Sequence, residues 1–166
     1  MIAPEYHIRD CVEADMDLIR YLFSVEGFSD LTSPEGIRVA VTPDNTMYGA
    51  CRLEQGSDRA MGIITSSTSY QYVKEIFCDH VSILKLGMVN PLPEKLLLDF
   101  AKGKELLLVV EELDPVIETY CKSLGLSVHG KDVLPMTGEF SQNLLAEKLS
   151  KAFPKLAELI GTIPSG

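Results

Sequence analysis

The chain has 166 residues, 46% of them hydrophobic and 23% charged, and a formal net charge of −9. That length and apolar content suit one ordinary domain with a real core. The negative field, with no basic stripe, argues against nucleic acid or anionic lipid as partners. No apolar run approaches the roughly 20 residues of a membrane span and no signal segment is recognisable, so no membrane contact and a cytoplasmic location are expected.

The first 56 residues are the least regular. "DMDLIRYLF" predicts a helix that starts near Asp15 or Asp17, with Met16, Ile19 and Phe23 on one side. "IRVAV" (37–41) predicts a strand, and "TSPEG" and "TPDNTMYG" are turn-rich. This stretch reads as an N-terminal extension, either an extra hairpin and helix or the remnant of a preceding domain.

From residue 57 to 145 strands and helices alternate. "MGIITS" (61–66) is a short apolar, β-branched run, and "STSYQYVKEIFCDH" follows with Tyr70, Val73, Ile76 and Phe77 at helical spacing. "VSILKLG" predicts the next strand. Gly87 and Pro91 shape the turn out of it, and Pro93 opens a helix, "PEKLLLDFAKG", that stops at Gly103. "ELLLVVEE" (105–112) is the strongest buried-strand signal. "LDPVIETYCKSLG" then predicts a helix with Asp114 as N-cap, Pro115 at the first helical position and Gly125 as stop. "LSVHGKD" (126–132) reads as one more short strand, "SQNLLAEKLSKAF" as a helix capped by Ser141, and "GTIPSG" as a loose end, so that 146–166 forms the end of a helix and a tail. Strands linked through helices of about ten residues predict an α/β fold, a mostly parallel sheet covered by helices on both faces.

Cys11, Cys51, Cys78 and Cys121 are far apart, with no CxxC pair and no close histidine, so they read as four buried or half-buried thiols and not as a metal or cluster site. No GxGxxG or GxxxxGK[ST] loop is present. The turn after the first clear strand holds Thr65, Ser66 and Ser67, whose hydroxyls either meet an anion at a helix start or serve as ordinary caps. Glu111 and Glu112 sit where the strongest strand should end. One of them could act as an acid or base if burial raised its pKa, or could accept backbone N–H bonds or face solvent. Adjacent strand residues point to opposite sides, which argues against a catalytic dyad. His7, His80 and His129 stand alone, without a nucleophile motif or HExxH. Taken together, the residues describe a domain with no complete active site.

The series "GIITS", "YQYVKE", "LKLG", "NPLP", "VVEEL", "HGKD" and "TGE", in this order between about Leu53 and Leu145, resembles the transketolase C-terminal-like domain of the alpha subunit of indolepyruvate ferredoxin oxidoreductases. Within the match, Ser67 stands where the family's "GIITSG" has its glycine, which predicts an altered turn. The resemblance implies a parent enzyme that oxidatively decarboxylates aryl 2-oxoacids to acyl-CoA with coenzyme A as co-substrate. It would use thiamine diphosphate with magnesium and pass electrons through [4Fe–4S] clusters to ferredoxin. It also implies partners: the thiamine-binding domains of the same subunit, a beta subunit and ferredoxin. None of the family's cofactor motifs lies in this chain, so no catalytic, cofactor-binding or metal residue is carried over. The expected role is that of a packing domain, with "NPLP" a rigid turn and Asn90 a weak candidate contact. A stand-alone module that binds a small ligand around Ser66, Asn90 and Glu111, or a scaffold, is the alternative.

Overall fold

A computed structural model describes residues 5–25 and 33–160. They form β1 (His7–Asp10), a 3-10 turn (Glu13–Asp15), α1 (Met16–Val25), β2 (Ile37–Val41), β3 (Met47–Glu54), β4 (Asp58–Ser66) and α2 (Ser69–Phe77). After these come β5 (Val81–Leu86), α3 (Glu94–Ala101), β6 (Leu106–Val110), α4 (Val116–Ser123), α5 (Gln142–Ala152) and α6 (Pro154–Ala157). "GTIPSG" and the side chain of Phe23 lie outside the described residues.

One six-stranded sheet runs in the order β1-β2-β3-β5-β4-β6. The class is α/β, and β4 pairs in parallel with both β5 and β6, as alternating strands and helices require. The N-terminal stretch adds a helix and a hairpin. A short turn joins β2 to β3, which can then only pair antiparallel. β1 pairs with β2 and β3 with β5, both also antiparallel. The sheet is therefore mixed: parallel across residues 58–110, antiparallel before them.

Side-chain alternation explains the layers. Ile63, Val81, Ile83, Leu108 and Val110 face α2 and α5, while Ile64, Leu84, Leu86, Leu107 and Val109 face α3 and α4. All six residues of β5 are buried, as befits a strand covered on both faces. The stripe of α2 is buried as its spacing predicts: Tyr70, Val73, Ile76 and Phe77. In the antiparallel half, Met16 and Ile19 of α1 pack with Ile37, Val39 and Val41.

Several local expectations are corrected. "LSVHGKD" makes no strand. His129 forms a single bridge to Leu108, and the Asp132 carboxylate then takes the Gly130 N–H at 2.7 Å and turns the chain away. Pro93 is the residue before α3, not its first. Cys78 is exposed at the end of α2, where its φ of +50° takes it off the buried stripe; Cys11, Cys51 and Cys121 are buried, and all four are free thiols. Burial pushes the Cys121 thiol up to about 11, so it remains protonated.

Candidate functional site at the carboxyl edge of the parallel strands

β4 leads into α2 on one face of the sheet and its neighbour β6 leads into α4 on the other, so the chain diverges at their carboxyl ends. An open α/β sheet forms its ligand crevice at such a switch point. A cavity of about 310 Å³ lies there, and it brings together Ser66, Ser67, Glu111 and Glu112. Thr65 does not line it. This residue is fully buried, and its hydroxyl donates to the Val110 carbonyl at 2.8 Å, stitching β4 to β6. Asn90, whose bond to Pro91 is cis, lines an adjoining apolar groove of about 680 Å³ with Pro91, Leu92, Val116 and Tyr120. Val89, Asp114 and Val116 border both spaces.

The carboxylates are already engaged. Glu111 is buried, and its two oxygens accept the N–H groups of Ile117 and Glu118, each at 2.9 Å. It therefore caps α4, the role expected of Asp114. No side chain next to the helix makes that cap, because Pro115 precedes it and the cap reaches over from the end of β6. Burial pushes the Glu111 carboxyl above its ordinary range, against the pull of the two N–H donors and of Lys131. Glu112 accepts the Phe140 N–H at 2.8 Å and so pins the segment leading into α5. The neighbouring glutamates take separate backbone partners.

Several polar residues escaped the sequence reading. Lys131 reaches back from the turn after His129 to the Glu111 carbonyl at 2.6 Å and the Pro135 carbonyl at 3.2 Å, with its ammonium 5.0 Å from the Phe140 ring centre. Glu118, buried on α4, accepts the Lys131 N–H at 2.8 Å, and Gly130 passes so close to this carboxylate that any side chain there would displace it. Lys85, one cation inside the apolar run "VSILKLG", is 1% exposed and lies 5.3 Å from the Tyr70 ring centre. Glu54 accepts from the Tyr70 hydroxyl, from Lys74 at 2.7 Å and from Arg52 at 3.0 Å, which ties β3 to α2. A run of long side chains converging on one acceptor has no signature in local spacing.

Hydroxyls at the start of α2 and three carboxylates line the crevice, and two of these, Glu111 and Glu112, are bonded to backbone N–H groups. Comparison with curated proteins shows what it is similar to. Over 109 residues, 60% of this chain, the sequence is 38% identical to indolepyruvate oxidoreductase subunit IorA of Pyrococcus abyssi and 39% identical to that of Thermococcus kodakarensis. The IorA subunit of Archaeoglobus fulgidus is 35% identical over 101 residues, 57% of this chain.

Its relatives are IorA subunits.

They are the alpha subunits that the ordered motifs point to. The matched region takes in 17% of the length of the first two of these IorA proteins and 16% of the third. No protein-family pattern and no solved structure matches the chain. Among the described residues no helix is long and apolar enough to cross a membrane.

Proposed function

We propose that this chain is a packing domain of the alpha subunit of an indolepyruvate ferredoxin oxidoreductase, and that the chemistry belongs to polypeptide beyond it. In that reading the whole enzyme oxidatively decarboxylates indolepyruvate and related aryl 2-oxoacids to acyl-CoA. Thiamine diphosphate with magnesium supplies carbanion stabilisation, and [4Fe–4S] clusters pass electrons to ferredoxin. The switch-point cavity does not suit the cofactor's diphosphate, because Glu111, Glu112 and Asp114 line it and oppose an anion. The thiamine-binding domains of the same subunit and a beta subunit are the partners in this proposal.

One observation carries the packing role. At the edge where α/β enzymes place their chemistry, this chain presents apolar side chains to solvent: Val89 is 47% exposed, Leu113 66% and Val116 57%. Leu113 holds a φ of +57°, a costly conformation for a branched residue, with its side chain turned outward. Together with the apolar groove beside them, these residues make a face suited to another domain. The isolated chain, given indolepyruvate, thiamine diphosphate, magnesium, coenzyme A and ferredoxin, is expected to release no carbon dioxide above a chain-free blank. Sustained release would overturn the proposal.

A further inference from the structure

The opposite edge of the parallel strands differs in charge. Four of the chain's 15 lysines and arginines, Arg38, Arg59, Lys102 and Lys104, line a cavity of about 500 Å³ near the start of β4 and the end of α3, with one carboxylate, Asp99, among them and Leu53, Leu96 and Phe100 as its apolar lining. On a molecule of net charge −9, this is a local reversal of sign. Two of the cations are balanced: Arg38 pairs with Asp10 at 3.0 Å and Lys102 with Asp99 at 2.6 Å. The other two are not. Among the described residues neither Arg59 nor Lys104 has a carboxylate within ion-pairing distance, although the charge of Asp58 is felt at Lys104.

Lys104 is held in place from three sides. Its ammonium donates to the Arg59 carbonyl at 2.6 Å and lies 5.2 Å from the Phe100 ring centre. Its stem lies against Gly62 of β4, where a Cβ would meet it at 3.1 Å. Burial first, then the charge of Arg59, draws the Lys104 ammonium below its ordinary value, and an anion between the two cations would relieve that repulsion. The end of α3 adds little opposing potential, because the Asp99 and Ala101 carbonyls already accept the N–H groups of Lys102 and Lys104.

We propose that this cavity binds a phosphate-bearing organic molecule of about nucleotide size, its phosphates on Arg59 and Lys104 and its ring or chain against Leu53, Leu96 and Phe100. The volume falls in the ordinary range for small-molecule sites, and guanidinium with ammonium is a common phosphate-binding pair. This goes beyond the packing role and does not depend on it, since the packing face lies at the other edge of the sheet.

Calorimetric titration of the full chain with ADP, without magnesium, tests it, with adenosine as the comparison probe. ADP is expected to bind at one site per chain, more weakly as salt screens the charges, and adenosine not to bind measurably. Arg59→Gln should weaken ADP binding roughly tenfold, and Arg59→Gln with Lys104→Gln should abolish it. Lys151→Gln, the same loss of charge on an exposed face of α5, should leave it unchanged. The Arg59 side chain is exposed and donates no hydrogen bond among the described residues, so its single variant stays interpretable even if the double variant folds poorly. Absence of saturable ADP binding up to about 5 mM, ADP binding unchanged in Arg59→Gln, or adenosine binding as tight as ADP would each overturn the proposal.

Discussion

Ser67 holds a φ of +48°, in the left-handed region that glycine enters without steric cost. A serine there bears the steric cost that a glycine would avoid. Ser67→Gly should therefore raise the unfolding free energy, by about 0.5 kcal/mol once the greater freedom of glycine in the unfolded chain is subtracted. An unchanged or lower urea midpoint would show that the turn is not strained. Glu111 makes the opposite case. Glu111→Ala would leave the buried N–H groups of Ile117 and Glu118 without acceptors at the start of an eight-residue helix, at a cost of roughly 2–4 kcal/mol. Glu111→Gln keeps one acceptor oxygen and should cost about half as much, while Asp114→Ala should cost under about 0.5 kcal/mol. Local spacing pointed to Asp114 because caps are read from the residue beside the helix. The true cap stands six and seven residues upstream of its donors, and only the packing of β6 against α4 brings it there.

Of the ion pairs among the N-terminal elements, one joins β1 to the turn before α1. Arg9 of β1 binds both oxygens of Asp15, at 2.7 and 2.9 Å, and Asp15 also accepts the Val12 N–H at 2.9 Å, which fixes the entry into α1. Hydrogen bonding from Arg9 holds the Asp15 carboxyl below its ordinary 3.8, against the effect of burial. A depressed carboxyl stabilises the fold above its unfolded value, and that contribution is lost as the pH falls through the folded one. Asp15→Asn should thus cost about 1 kcal/mol near neutrality, with the gap to the unmodified chain closing below about pH 3.8 in denaturation series. A gap that stays constant down to pH 3 would contradict it. Asp15 was legible as a helix start, because an acidic residue before an amphipathic run is a local signal. The pairing of β1 with β2 was not, since four residues of mixed burial carry no clear period.

Across the whole molecule, residues 57 to 145 were readable except at "LSVHGKD", because each strand there is apolar enough to be buried on both faces and each helix carries its own stripe. The mixed sheet was less so: the antiparallel half depends on long-range pairing of β3 with β5, which no short window contains. The crevice residues Ser66, Ser67, Glu111 and Glu112 followed from where the strands end, whereas the bonds of the two glutamates to backbone donors, and the basic cavity at the far edge, arise only from tertiary packing. On the proposed reading, an acidic α/β block presents one apolar edge to the rest of an enzyme. The most direct test replaces the matching segment of Pyrococcus abyssi IorA with this chain and measures assembly and indolepyruvate oxidation of the chimaera with its partner subunit. The account predicts an assembled, active enzyme that falls apart when Leu113→Asp and Val116→Asp are introduced together; an assembled but inactive chimaera, or assembly indifferent to those two changes, would contradict it.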